Sequence, residues 1–496
     1  MAAKPSAPPA SATPPSTPAP PAVPSGNTAP EPAISLGDIG PNGPVQLLAA
    51  SRSGAWVALC DTASKTAKLV LGSGQGEVID QVLAQDPSGR FVIDLRDGKA
   101  ELHDVLAGTR VDLSALGADV RQVRGDYAEH RTLSFDAGGQ HLAYYRKQAN
   151  GSQLVVRSLP EGTERVVALG PGEVFRLKLS ADARYVTFEA LREDTNRNGK
   201  LDWPAPEEVA RKSACDKPSL PKFRSFAYQG RGDAVTRGVV SLETGALRDV
   251  PELVTPLGSS LLVREADGTL QLEQAGKRTT LASASCGARV LFADAERGLV
   301  VATCAPPPAK KTRGVPAPPA SGKREVWLLG SGFAKNLQSE LYETTTDREA
   351  VVGVRLVALY PGSEASLLDL ERRELLPLPP GSRVITTDGA LALLWRDSAL
   401  YRYDAVSKTE QRLAHGVLKN PDLLQAGSTV LLSPFVLVGC DGPVRASPPL
   451  PLAVSSNGFV LSASPTPHAT DSPAARSAIQ GPLHWVDARL PLPDGP

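Results

Sequence analysis

The chain has 496 residues, 41% hydrophobic and 21% charged, enough apolar material for a large folded core. Lys and Arg number 53, as do Asp and Glu, so the formal net charge is zero and nothing in the balance draws the chain to nucleic acid or an acidic membrane surface. No run of about 18 apolar residues occurs, which leaves no predicted transmembrane helix.

Residues 1–33 are almost all Pro, Ala, Ser and Thr. Such a segment buries too little apolar surface to offset the entropy of ordering, and its prolines favour an extended conformation, so a disordered Pro/Ala-rich spacer is predicted. The first residues, MAAKPSAPPASATPPS, lack the apolar stretch of a signal peptide. Met1 is the single methionine, and it fits either a native start or a start added to a trimmed mature chain.

From about residue 45 the pattern changes. Short apolar runs alternate with Gly/Asp/Ser turns, as at 68–71, 89–95, 154–158, 186–189, 261–264 and 384–387. Period-2 alternation and β-branched enrichment predict strands, and long amphipathic helical stretches are nearly absent, so the fold class is all-β. One element recurs: Ser or Asp, two residues, Gly, then an apolar run. It reads SRSGAWVAL from Ser51, DPSGRFVID from Asp86, SFDAGGQHLAYY from Ser134, SADARYVTF from Ser180, FADAERGLVVA from Phe292, TTDGALALLW from Thr386 and SSNGFVLSA from Ser455. A second apolar strand follows most copies. LWRDSALYRYDAVSKTEQRL, ending at Leu413, shows the full unit of strand, tight turn, strand, Asp/Lys turn and polar edge strand.

One such unit is a small antiparallel sheet with two apolar faces. It cannot stand alone, and radial stacking of several units buries those faces and leaves short edges. The repeat resembles the TolB-type, WD40-like propeller repeat of bacterial proteins, although no copy carries the G-H…W-D signature and Ala183 replaces one turn glycine. The expectation is a β-propeller of about eight four-stranded blades, with seven as the alternative, over residues 45–488. Two insertions interrupt it, at 192–232 and at 304–324. The second is Pro-rich and basic, with Lys310, Lys311 and Arg313, and reads as a solvated loop.

The first insertion opens on DTNRNGKLD, 194–202. Side-chain oxygens fall at positions 1, 3, 5 and 9 (Asp194, Asn196, Asn198 and Asp202), Gly199 at position 6 permits a sharp turn, and the Lys200 carbonyl would supply position 7. Alternating oxygens around one centre suit calcium, a hard cation that takes six to eight of them. The loop resembles EF-hand and dockerin calcium loops and the calcium-type loops of bacterial propellers, departing from the EF-hand at position 12, where Ala205 stands in place of the bidentate Glu. Calcium is the one expected cofactor, with ordering of the insertion as its role.

Five cysteines occur, without a CxxC pair. Cys60 reads as a small core residue. Cys286 and Cys304 flank a predicted hairpin turning near 294–297, where a disulfide or two buried thiols both fit. Trp56, Trp327, Trp395 and Trp485 lie in strand patterns and are expected in the core between blades, and Trp203 follows the acidic loop. No two of the six histidines stand at metal-ligand spacing, and there is no G-x-S-x-G elbow, so no catalytic residue is assigned. Turn aspartates such as Asp182 and Asp388 read as turn formers. The reading is a non-catalytic binding or scaffolding module, expected as a monomer with a protein or peptide partner. The resemblance implies a bacterial cell envelope location, with the cytoplasm as alternative. The competing function is a propeller enzyme of lyase or glycoside hydrolase type, with acids or histidines gathered at the central funnel.

Overall fold

The structure is a computed structural model. It describes residues 45–488 except 62–63, 72–75, 119–121, 125–128, 149–150, 200, 202–214, 216–232, 251–253, 258–259, 266, 275, 295–296, 305–322, 331–332, 343–350, 353–354, 360–365, 417–422, 427–428, 433–434, 443, 448–450, 456–457 and 464–482. The spacer expected over 1–33 lies outside the described residues, as do Lys310, Lys311 and Arg313.

Apart from one 3-10 turn at Ala284–Cys286, the elements named among the described residues are strands. They form nine four-stranded antiparallel sheets, each built of strands consecutive in the chain, then a three-stranded sheet, plus a hairpin, Gln122–Arg124 with Glu129–Arg131, between the second and third sheets. We number the sheets as blades 1 to 10 in chain order. Blade 1 spans 45–79, blade 2 81–112, blade 3 133–170, blade 4 173–250, blade 5 254–282, blade 6 289–342, blade 7 351–377, blade 8 383–415, blade 9 423–446, and blade 10, the three-stranded sheet, 451–487.

Every pair of neighbouring blades shares a buried apolar cluster. Between blades 1 and 2 it includes Trp56, Leu69, Ile79 and Val92; between blades 3 and 4, Tyr145, Leu154, Val186 and Phe188; between blades 7 and 8, Leu356, Leu376 and Leu394. The circle closes where Val57, Leu59 and Val70 of blade 1 pack on Phe459, Leu461 and Leu483 of blade 10. The core is thus ten inter-blade layers, each buried on both sides, which explains why the second strands read as near-continuous apolar runs. First strands of successive blades approach one another, as Glu173–Leu179 does Leu133–Phe135 and Pro451–Val454 does Leu423–Ala426, so they line the central axis.

The ring corrects the expected count. Nine four-stranded blades replace eight, and the three-stranded sheet adds to them. The physical reason lies in the turns. The recurring Ser/Asp-x-x-Gly element marks the first-to-second strand connection of blades 1, 2, 3, 4, 6, 8 and 10. In blades 5, 7 and 9 that connection, at 258–259, 353–355 and 427–428, does not carry the Ser/Asp-x-x-Gly signature, so the sequence does not mark these blades.

Where present, the element works as a capped turn. Its first residue is buried: Ser51, Asp86, Asp136, Ser180 and Ser455 are each at most 5% exposed. The side chain takes up the backbone N–H that reopens the next strand. Phe91 N–H donates to Asp86 Oδ1 at 2.6 Å, Tyr185 N–H to Ser180 Oγ at 2.9 Å and Phe459 N–H to Ser455 Oγ at 3.0 Å. A left-handed residue closes the turn, and Ala183, with φ of 54°, adopts that conformation where its neighbours have glycine. Neighbouring turns also interlock. The Ser51 hydroxyl donates to Gly89 O at 3.1 Å and Trp56 Nε1–H to the same carbonyl at 3.2 Å, which ties blade 1 to blade 2.

Candidate functional site

Blade topology divides the connections between two faces. First-to-second and third-to-fourth connections leave one face, and each of them is two to five residues long. Second-to-third and blade-to-blade connections leave the other. The long ones all start and end there: 192–234 in blade 4, 305–322 in blade 6, 464–482 in blade 10, and the connection bearing the Gln122–Arg131 hairpin. We refer to the turn face and the insertion face. Tight turns satisfy their own backbone groups and vary little, whereas long connections on a rigid scaffold are where binding residues concentrate.

The blade 4 insertion is anchored at both of its described ends. Asp194 accepts N–H groups from Asn198 at 3.0 Å and Gly199 at 2.6 Å, and the Asn196 side-chain oxygen accepts the Asn198 N–H at 3.1 Å. Gly199 has φ of 82°, as the sharp turn at position 6 requires. Buried Asp233, where the insertion returns, accepts from Asn196 N–H at 2.9 Å and bonds Thr195 Oγ1 at 3.2 Å. Of the five expected metal-site residues, Asp194, Asn196 and Asn198 converge in one turn, and Lys200 and Asp202 lie outside the described residues, as does Trp203.

Cys215, within the same insertion, is bonded to Cys60 in the second strand of blade 1. This corrects the reading of Cys60 as a core thiol. The partner stands 155 residues away, a separation no local pattern reveals. Cys60 sits at the insertion-face end of its strand, so the bridge carries the blade 4 insertion back to blade 1. Cys286 and Cys304 form the second disulfide, which joins the 3-10 turn ahead of blade 6 to the end of that blade's second strand. Cys440 is free and buried, and burial pushes its thiol up to about 12, which leaves it un-ionised and unreactive. Trp56 is fully buried between blades 1 and 2 as expected, and Trp327 and Trp395 pack at the edges of their inter-blade clusters.

Among the described residues one group of acids and a histidine comes close enough to share an ion: Asp94, Glu101 and His103 of blade 2. It lies on the sheet face that carries Val92, against blade 1. His103 Nε2 is 3.1 Å from Asp94 Oδ1. Arg96 reaches Asp94 Oδ2 at 3.0 Å and Glu77 of blade 1 at 2.6 Å, and Arg110 pairs with Glu77 as well. The Arg110 hydrogen bond, joined by Arg96 and opposed by burial, holds the Glu77 carboxyl below its usual range. Arg96 supplies the positive charge beside Asp94, so these residues form a polar seam between two blades. The sequence signal was a His and an Asp inside the apolar run FVIDLRDGKAELHDV.

A second feature lies along the central axis, a cavity of about 380 Å³ bounded by the first strands of blades 2, 3 and 4. Arg52, Arg176 and Lys178 line it, and its described lining holds no Asp, Glu or His.

No family model matches the chain, and no curated protein matches it. Solved structures do. A Pyrococcus horikoshii acylaminoacyl peptidase matches at 11% identity and a TM-score of 0.31, over 79% of this chain and 57% of that one. Porphyromonas gingivalis dipeptidyl peptidase 4 matches at 12% identity and 0.38, over 72% and 57%. TolB from Acinetobacter baumannii matches at 10% identity and 0.22, over 76% and 64%. The fold is a β-propeller. That statement rests on the closed circle of packed blades, and the peptidases' activities are said of those proteins alone. The chain spans 57% of the length of each of the two peptidases. No helix among the described residues of this propeller is long and apolar enough to cross a membrane.

Proposed function

We propose that this propeller is a non-catalytic binding scaffold that presents its insertion face to a protein or peptide partner. The observation that carries the reading is the asymmetry of its connections. Ten blades pack into a rigid ring with uniformly short turns on one face, and every long connection opens on the other. Calcium in the Asp194–Asn198 turn would order the blade 4 insertion. The carboxylate has lone pairs beyond those its two N–H donors use, and a divalent ion adds a link between the turn and the Asp202 side of the insertion. Two disulfides support an oxidising compartment such as the cell envelope. The enzyme reading calls for acids or histidines at the funnel. The cavity on the axis is lined instead by cations, and the acid–histidine group lies between blades 1 and 2, which favours binding over catalysis.

The test replaces residues 305–322 by Gly-Gly, which leaves both flanking strands of blade 6 intact. Proteins that co-purify with the wild-type chain from cells that produce it should be lost or reduced, with thermal unfolding unchanged. Unaltered co-purification with this variant and with a matching 202–232 replacement, made in the Cys60→Ser background, would contradict the proposal.

A further inference from the structure

The acid–histidine group of blade 2 has no part in the insertion-face reading. Strand register brings its members together. Asp94 of the second strand pairs with Glu101 of the third, and Val92 with His103, so these four side chains share the sheet face turned to blade 1. The opposite face carries Ile93, Ala100 and Leu102 and packs on blade 3 through apolar contacts. Packing asks for apolar residues on the blade 1 side as well. Counted from the residue that pairs with the turn aspartate (Phe91 with Asp104, Leu356 with Asp369, Leu391 with Asp404), the position of Asp94 is Leu359 in blade 7 and Leu394 in blade 8, both buried. Asp94 is fully buried and His103 is 1% exposed, so their polar atoms have lost water and need partners in its place.

Protein partners satisfy the group only in part. Arg96 bonds Asp94 through Oδ2 at 3.0 Å and also reaches Glu77 of blade 1, which leaves Asp94 Oδ1 facing His103 Nε2 at 3.1 Å. Glu101 Oε2 stands 3.8 Å from the same nitrogen, beyond hydrogen-bond reach. Among the described residues nine buried side-chain nitrogen or oxygen atoms have no hydrogen-bond partner, and three of them, Arg96 Nε, Glu101 Oε2 and His103 Nδ1, belong to this one seam. Buried polar atoms without partners are rare, and their concentration at one point marks a group that an ion or a water completes. The geometry favours an ion. One ligand atom from each of Asp94, Glu101 and His103 lies within 4.8 Å of the other two. A tetrahedral zinc with bonds of about 2.0–2.2 Å holds its ligands about 3.3–3.6 Å apart. A small rotation of Glu101, the most exposed of the three side chains, closes the difference.

We propose that Asp94, Glu101 and His103 bind a divalent transition-metal ion of the zinc type. His103 offers Nε2 as a neutral imidazole, and the two carboxylates supply oxygens. Arg96 holds the far oxygen of Asp94, the kind of outer partner that fixes a ligating carboxylate. An entry path adjoins the group. A cavity of about 480 Å³ lies beside the third and fourth strands of blades 1 and 2, lined by Leu71 and Glu77 of blade 1 and by His103, Thr109 and Arg110 of blade 2. A water from that side would complete four-fold coordination.

Titration of the chelator-treated full chain with zinc chloride tests this, in an Asp194→Ala background that disables the calcium-type turn. One zinc ion should bind per chain, and magnesium should not displace it, because an imidazole ligand suits zinc and not magnesium. His103→Gln and Glu101→Gln should each weaken zinc binding by about tenfold or more. Cobalt(II) gives a readout that requires no variant to fold. Bound to the parent chain, it should show visible absorption stronger than that of the aqueous ion, and zinc should remove it. A zinc isotherm unchanged by both substitutions, displacement of zinc by magnesium, or no zinc bound at millimolar concentration would overturn the proposal. So would cobalt absorption no different from that of the aqueous ion.

Discussion

The interlocked turns make a prediction that separates contact between blades from backbone preference. Gly89 closes the blade 2 turn at φ of 76°, and a Cβ there would come 2.4 Å from Ser51 Oγ and 2.9 Å from the Arg52 amide nitrogen. Gly98 has φ of 73°, and a Cβ added to it meets nothing within 4 Å. Gly98→Ala should therefore cost the left-handed strain alone, about 1–2 kcal/mol. Gly89→Ala should cost the same strain plus displacement of the Ser51 and Trp56 hydrogen bonds to Gly89 O, at about 1 kcal/mol each, for a total of roughly 3–4 kcal/mol. Urea unfolding followed by tryptophan fluorescence reads both, since Trp56 lies at that contact. Equal losses for the two variants would show that the turns do not lock blade to blade, and would refute the reasoning.

Three further outcomes follow from the same geometry. The Cys60–Cys215 bridge closes a 155-residue loop, so Cys60→Ser with Cys215→Ser should lower stability by up to about 5 kcal/mol on the chain-entropy relation, read as the unfolding midpoint with and without reductant. If the wild type is insensitive to reductant, the bridge is absent or without effect. For calcium, millimolar Ca²⁺ should raise the unfolding midpoint relative to chelator, by about 2.7 kcal/mol at a hundredfold excess over Kd, and Asp194→Ala should abolish the increment. A midpoint that ignores calcium in both proteins removes the cofactor. Asp104 and Asp369 are buried beside Arg90 and Arg355 in equivalent third-to-fourth turns, and although burial pushes each carboxyl up, the arginine and backbone N–H bonds outweigh it and hold both below the usual range. Their stabilising contribution should be complete above the unfolded value of about 3.9 and lost as pH falls through the lower folded values. Asp369→Asn should flatten that acid limb of the stability profile, and an unchanged limb would contradict the assignment.

The all-β class and the ring were legible because each Ser/Asp-x-x-Gly turn carries its own chemistry, a buried cap and a left-handed closing residue, in contiguous sequence. The count was not, because the first connections of blades 5, 7 and 9 do not carry that signature. The Cys286–Cys304 pair could be read from one hairpin, whereas Cys60 and Cys215 belong to different blades. The axial cavity was invisible for the same reason. Arg52, Arg176 and Lys178 come from blades 1 and 4, and no local pattern brings them to one cavity. Asp194, Asn196 and Asn198 lay within one turn, and spacing alone brought them together.

The most direct test of the binding-scaffold account is site-specific photo-crosslinking from the two faces. A photoreactive phenylalanine analogue is placed at Asp97 or Asp397 on the insertion face, and at Leu106 or Val406, both exposed at the tips of turn-face loops. The account predicts that discrete crosslinked partner bands form from the insertion-face positions and not from the turn-face positions, in cells that produce the protein. Bands of equal strength from both faces, or from the turn face alone, would contradict it.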